Sequence, residues 1–563
     1  MKYSDFHYER IRIQNKEQLM AGWLNSFSRA KSAKRQISLL EKVDQMGKEY
    51  RSYAAIASLN FSRDINNVSA QKEKDYYDSI APEMQEIFNR MDKQISTSKF
   101  KKELSEKWGN TFLNQIEMDL KTFDPKIKDL LKKEITLKNK YTKLTAGAKI
   151  EFQGKTYNLA GLGPFHTDKN RLLRKNSYQA RYNWFENNSS NLDQIYDDLV
   201  KLRHEIACSL GYDNFIPLGY LRMKREDYGP SDVSNFRKQI VNHVVPICSL
   251  LHERKKEILG LDKIFFYDGI NFKDGDPKPK GTPEELISKA QEMYHELSKE
   301  TGEFFDLMID EELMDLVNRD GKRPGGFCTS FPKYKRPFIF SNFNGTDHDI
   351  TVLTHEAGHA FQFYSSRNQP LSNYLWPTME SAEIHSMSME FFTWPWMDKF
   401  FRGDAEKFKY KHLLGSLTFL PYGACVDHFQ HWVYENPNAS PKDRNEMWLE
   451  LEKIYLPNRD YDDFFYPKSG RLWQGQLHIY QAPFYYIDYT LAQTCAFQFW
   501  IRNQTNKSET WSDYYKLCKA GGSLPFTSLV KLAGLKSPFD DGCLEKVVTE
   551  VKKWIDKIDV SSL

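Results

Sequence analysis

Residues 355–359 read His-Glu-Ala-Gly-His, a pentapeptide that fits the zinc-peptidase pattern H-E-x-x-H. On a helix, His355 and His359 lie about one turn apart on one face, so both imidazoles can bind one metal ion. Glu356 follows the first of them and can reach a water at the metal without coordinating it. Zinc needs a third protein ligand and one open position. A metzincin-type third ligand would require glycine at 362 and histidine at 365. The chain has Gln362 and Ser365, which excludes that class.

The other common source is a carboxylate from the following helix. Pro377 suits a helix start, after which Glu380, Glu383, Met387 and Glu390 share one face. Carboxylates crowded on one face repel one another unless a cation lies among them. Helical spacing leaves Glu380 and Glu383 as equal candidates. His385 points elsewhere and reads as an ordinary helix histidine. His428 and His431 are also a turn apart, but only Asp427 accompanies them, so they read as a surface or core pair rather than a second metal site.

These side chains need a scaffold. Asp347 and Asp349 suit the first turn of a helix through His355, and Thr346 is a candidate cap. Ile350, Val352, Leu353, Ala357, Ala360 and Phe361 supply apolar surface to bury it. Gly358 costs about 1 kcal/mol of helix propensity relative to alanine, a sign that something needs its space. Upstream, Gly325–Phe331 and Pro337–Ser341 read as two strands around a charged connector. Gly325 and Gly326 leave the backbone accessible. With Phe327 and Cys328 they form an edge that an extended peptide can join as an added strand. Cys328 would then border the substrate and expose the protein to bulky thiol reagents.

The chain resembles the thimet oligopeptidase and oligoendopeptidase F family of zinc metallopeptidases. Three blocks carry the likeness: Pro337–Thr346 running into the histidine helix, Glu380-Ser381-Ala382-Glu383 followed by Glu390, and the aromatic segment His478–Tyr489. A weaker likeness extends back to Leu199–Ala207, so that the similarity covers roughly residues 160–560. The resemblance implies one zinc ion on His355, His359 and Glu383, with Glu356 as general base and Glu390 orienting a ligand histidine. It also implies that His478, Tyr486 and Tyr489 face the substrate. Tyr480 and Tyr485 compete for the tyrosine roles, because the spacing after His478 is about one residue shorter than in thimet oligopeptidase. The expected activity is hydrolysis of internal bonds of short peptides in a helix-walled channel. A peptidyl-dipeptidase or carboxypeptidase with the same metal site, or a peptide-binding protein with a non-catalytic one, is the alternative.

The rest of the chain sets bounds. It has 563 residues and a formal net charge of +3, which gives no electrostatic reason to expect nucleic acid or membrane partners. Met1–Met20 lacks the apolar core of a secretory signal, and no run is long and apolar enough to span a bilayer. Seven cysteines, an odd number without a C-x-x-C pair, suit a reduced cytoplasmic setting. Oligomeric state is not legible. Residues 72–144 predict long charged amphipathic helices, 149–160 a small hairpin, 171–186 and 192–209 two helices, and 283–316 further helix. The fold expected is mostly α, a large helical body with a deep substrate channel and a small sheet beside the histidine helix. An N-terminal helical region, 1–150, would precede a catalytic domain, 151–563.

Overall fold

The computed structural model describes residues 1–560 and 563. Helices dominate. Ala33–Arg63 and Val68–Ser96 start at Ser32 and Asn67, whose side chains accept from the first-turn amides. The charged region after residue 72 forms packed helices, as its periodicity predicts. The predicted hairpin follows: β1 (Ile150–Phe152) pairs antiparallel with β2 (Lys155–Tyr157). Gln153 and Gly154 between them both have positive φ, 50° and 74°, which matches the twist of a two-residue turn.

Two expectations are corrected. The helices predicted at 171–186 and 192–209 are one helix, Arg171–Ser209. The polar residues between them do not cap a new start. Asn188 Nδ2 donates to the Trp184 carbonyl at 2.8 Å and Ser189 Oγ to that of Glu186, also at 2.8 Å, so they bond back onto their own helix. The apolar residues Phe185 and Leu192 stay buried on either side. The helical stretch expected to reach 316 ends at Asp310, and Met314–Val317 is a strand, β3. Its partner makes it one: β3 runs parallel to β5 (Arg336–Phe343), with Met314 opposite Ile339. β4 (Phe327–Phe331) pairs antiparallel with the other side of β5. The order β3-β5-β4 leaves β4 at an edge.

One continuous cluster of buried apolar side chains runs from Phe6 to Ile555. Arg203, fully buried, reaches back to Glu134 at 2.8 Å, and Tyr141 stacks on Tyr480 with ring centroids 3.9 Å apart. No described helix is long and apolar enough to cross a membrane.

Candidate active site

The histidine helix, His348–Ser366, begins after Asp347 without a side-chain cap. The Thr346 hydroxyl, expected to cap, donates instead to Asn344 Oδ1 at 2.7 Å. The glutamate helix, Met379–Phe392, begins after Thr378, so Pro377 lies just outside it. Gly358 explains how closely the two pack. A Cβ there would lie 2.6 Å from Ser386 Cα and 2.7 Å from the His385 carbonyl oxygen. The space freed at Gly358 is filled by the backbone of the glutamate helix.

This contact brings His355, His359 and Glu383 together. Their donor atoms all lie within 4.8 Å of one another, the one such group of three or more among the described residues. Glu383 Oε2 is 3.2 Å from His355 Nε2 and 3.4 Å from His359 Nε2. Ligands about 2.0–2.1 Å from a tetrahedral zinc stand roughly 3.3 Å apart, so the donor set fits that ion. Burial opposes ionisation of Glu383, but the two imidazoles outweigh it and hold the carboxyl well below its usual range. Glu390 Oε1 lies 2.7 Å from His355 Nδ1 and Oε2 lies 2.6 Å from His412 Nε2. A carboxylate so placed fixes the tautomer of His355 and points Nε2 at the site. Glu380 is not part of this set. It is fully buried and accepts from Tyr228 Oη at 3.1 Å.

Glu356 is also buried, and its Oε2 has no hydrogen-bond partner. Burial raises its pKa, opposed by the charges of His355 and His359. Gly326 makes room for it: a Cβ there would meet Val352 Cγ1 at 3.0 Å and Glu356 Oε1 at 3.5 Å. The entry to β4 thus borders the free carboxylate. Trp376 ties the same strand to the ligands, donating from Nε1 to Ser330 Oγ at 2.8 Å while its ring lies 6.2 Å from that of His359. Cys328 is half-buried in β4, and burial with the nearby Glu356 charge pushes its thiol pKa well up. That opposes rapid thiolate chemistry there. Cys208, by contrast, is exposed.

The late aromatic segment faces the ligands. Tyr485 Oη donates to Glu383 Oε1 at 2.5 Å, and Tyr489 Oη lies 3.3 Å from His478 Nε2. Tyr422 Oη donates to Gln476 Oε1 at 2.8 Å, so the Gln476 amide faces His478 Nδ1, also at 2.8 Å. Burial lowers the His478 pKa to about 4, leaving a neutral ring whose proton is on Nε2. His478 therefore donates to Tyr489, whose own hydroxyl proton is free to donate onward. Tyr486 packs on His478, Phe419 and Tyr422, on the Gln476 side. Tyr480 lies elsewhere, its hydroxyl bonded to the Leu192 carbonyl at 3.3 Å.

A buried clamp holds the tyrosine helix, Tyr486–Asn503. Phe484, just before Tyr485, has φ of 65°, which is strained for a side chain of this size. Its amide donates to Gln430 Oε1 at 3.0 Å and its carbonyl accepts from Arg225 Nη2 at 2.5 Å. The same nitrogen meets Asp488 Oδ1 at 2.6 Å. The Phe484 ring occupies the space left by Gly219, where a Cβ would lie 2.6 Å from it. Arg225, His412, Gln476, Tyr422 and Trp376 were not singled out from the sequence. No local pattern marks them: Arg225 precedes Asp488 by 263 residues. His428 Nδ1 lies 3.1 Å from Tyr455 Oη, His431 Nε2 lies 3.0 Å from Tyr220 Oη, and His431 Nδ1 lies 3.2 Å from Asp427 Oδ2.

Two histidines and a glutamate on packed helices, beside an unpartnered carboxylate oxygen, form a group that could hold one metal ion. Residues 165–549 match peptidase family M3, and residues 3–123 match the peptidase M3 N-terminal domain. The chain belongs to peptidase family M3. It is similar to the structure of PZ peptidase A with inhibitor 2, at 47% identity and TM-score 0.98, covering 99% of this chain and 100% of that one. A Bacillus anthracis structure, provisionally described as an oligoendopeptidase F, is 42% identical with TM-score 0.93, covering 100% of this chain and 99% of that one. An oligoendopeptidase F homolog of Borreliella burgdorferi is 24% identical over 386 residues, 65% of this chain and 62% of that relative. The chain thus matches under two thirds of the length of that curated relative. The resemblance to oligoendopeptidase F holds, as does the mostly α fold.

Proposed function

We propose that this chain is a zinc-dependent endopeptidase acting on short peptides. The observation that carries the reading is the buried Glu356 carboxylate, its Oε2 unpartnered, beside a Glu383 Oε2 that lies 3.2 and 3.4 Å from His355 Nε2 and His359 Nε2. His355, His359 and Glu383 would hold the ion. When bound, it supplies positive charge that acidifies a water and polarises a carbonyl. Glu356, its pKa raised by burial, accepts the proton of the attacking water and returns it to the leaving amine. Tyr489, polarised by His478, donates to the oxygen on which negative charge develops. Tyr485, whose hydroxyl proton goes to Glu383 Oε1, steadies that carboxylate. Tyr486 supports His478 from the aromatic side. The edge strand β4, entered through Gly325 and Gly326 and continuing through Phe327 and Cys328, holds the substrate backbone as an added strand.

The names of the relatives support peptides as substrates. The M3 matches, ending at 123 and resuming at 165, support a division of the chain near residue 150. Seven free thiols support a cytoplasmic setting. The test is Glu356→Gln. It should retain one zinc per chain by elemental analysis and lose about 10²–10⁴-fold in kcat on a short peptide. Wild-type turnover in this variant would remove the base; turnover that survives chelation would remove the metal. Cleavage positions on an end-blocked peptide separate internal from terminal hydrolysis.

A further inference from the structure

Two buried carboxyls play no part in the reaction above. Glu380 lies on the glutamate helix, three residues before Glu383, and Asp488 on the tyrosine helix, three residues after Tyr485. Neither side chain reaches solvent. The segment 225–228 joins them. Arg225 Nη2 meets Asp488 Oδ1 at 2.6 Å, and Tyr228 Oη donates to Glu380 Oε1 at 3.1 Å. The guanidinium lies 5.4 Å from the centre of the Tyr228 ring. The remaining oxygens, Glu380 Oε2 and Asp488 Oδ2, are buried without a hydrogen-bond partner, and so are Nε and Nη1 of Arg225.

The charges in this cluster do not balance if every acid is ionised. Arg225 is the one cation in ion-pair contact with either carboxyl among the described residues. The other groups that face them are Tyr220, whose ring centre lies 4.4 Å from the guanidinium, and Asp427, which has Arg237 and His431 as its own partners. Two carboxyls thus stand against one guanidinium. Ionising both would leave a buried negative charge without a cation, an arrangement that folded proteins avoid by taking up a proton. Burial raises the pKa of Glu380 to about 7, against the pull of Arg225. It raises that of Asp488 as well, and the Glu380 charge raises it further.

We propose that Glu380 and Asp488 hold a single proton between them, and that Glu380 is thereby a positioning residue for Tyr485 and Tyr489. With the proton present, Arg225 has one carboxylate to pair with, and its Nη2 stays on the Phe484 carbonyl that fixes the turn before Tyr485. When the proton is released to solvent, the second carboxylate draws the guanidinium from that carbonyl, and the turn loses its anchor. The proton stands apart from the peptidase reading; its effect on turnover rests on that reading.

Glu380→Gln tests it, because the amide keeps an oxygen for Tyr228 but cannot ionise. A folded state that holds a proton more tightly than the unfolded chain loses stability as pH rises from the ordinary glutamate value of about 4.3 through about 7. The wild-type melting temperature should therefore fall relative to that of Glu380→Gln across this interval, and the gap should level off above it. On a short peptide, the alkaline limb of the kcat profile should move up by about one pH unit or more in the variant, with zinc content unchanged. Asp488→Asn reaches the same charge count from the other helix and should flatten the stability profile too, which keeps the test open if one variant fails to fold. A gap that stays constant with pH overturns the shared proton. An alkaline limb that stays in place while the gap widens overturns the positioning role. A widening gap with an inert wild type would sink the peptidase reading and keep the proton.

Discussion

The donor half of the site comes from two consecutive helices, while the half that bears His478 and the tyrosines is suspended from distant parts of the chain. His355, His359 and Glu383 meet because Gly358 lets one helix backbone lie against another. The tyrosines reach the same point only because Arg225 and Gln430 grip a strained turn at Phe484. The first arrangement depends on one close contact between neighbours in sequence. The second depends on buried polar groups whose partners must all be present, which makes it the more fragile half.

The largest test of that contrast is Arg225→Ala. It leaves Asp488 buried without its cation, and stability should fall by about 3–5 kcal/mol, read as a lower urea midpoint. In the folded fraction kcat should drop while zinc content stays at one per chain, and Arg225→Lys should recover part of both losses. Undiminished kcat would show that the tyrosines need no clamp. Next comes the division of labour between the two hydroxyls. Tyr489→Phe should cost about 10²–10³-fold in kcat with little change in KM. Tyr485→Phe should weaken zinc retention as well, because it frees Glu383 Oε1. Equal phenotypes would merge the two roles.

Glu390→Gln acts on the donor half alone. It should weaken zinc binding about 10–100-fold in a competition titration, with the tyrosine half intact. Tight binding in this variant would make His355 independent of its carboxylate. The smallest effect belongs to Cys328. At neutral pH a bulky alkylating reagent should label Cys208 first, as mapped by peptide mass spectrometry, with little loss of activity. Rapid inhibition abolished by Cys328→Ser would restore the reactive edge thiol expected from the sequence.

The contrast also explains what could be read from the sequence. His355, Glu356 and His359 form a local pattern, and helical periodicity brought Glu383 and Glu390 to one face. The same periodicity put Glu380 on that face, yet it turns to Tyr228 and away from the donors. Its neighbours were not visible in a one-dimensional repeat. Helix propensity likewise failed at 187–191, where polar residues continue a helix, and at 314–317, where pairing with β5 makes a strand.

The sequence by itself determined the donor types, their helical spacing and the small hairpin-forming sheet, because these follow from repeats of two or 3.6 residues along one stretch of chain. Helical spacing left Glu380 and Glu383 open and the family resemblance pointed to Glu383; only the tertiary structure showed that Glu380 turns to Tyr228, which tyrosines lie near the donors, and that Arg225, Gln476 and His412 hold the surrounding groups. Those choices are made by buried hydrogen bonds between segments far apart in the chain, and such bonds leave no local pattern to read.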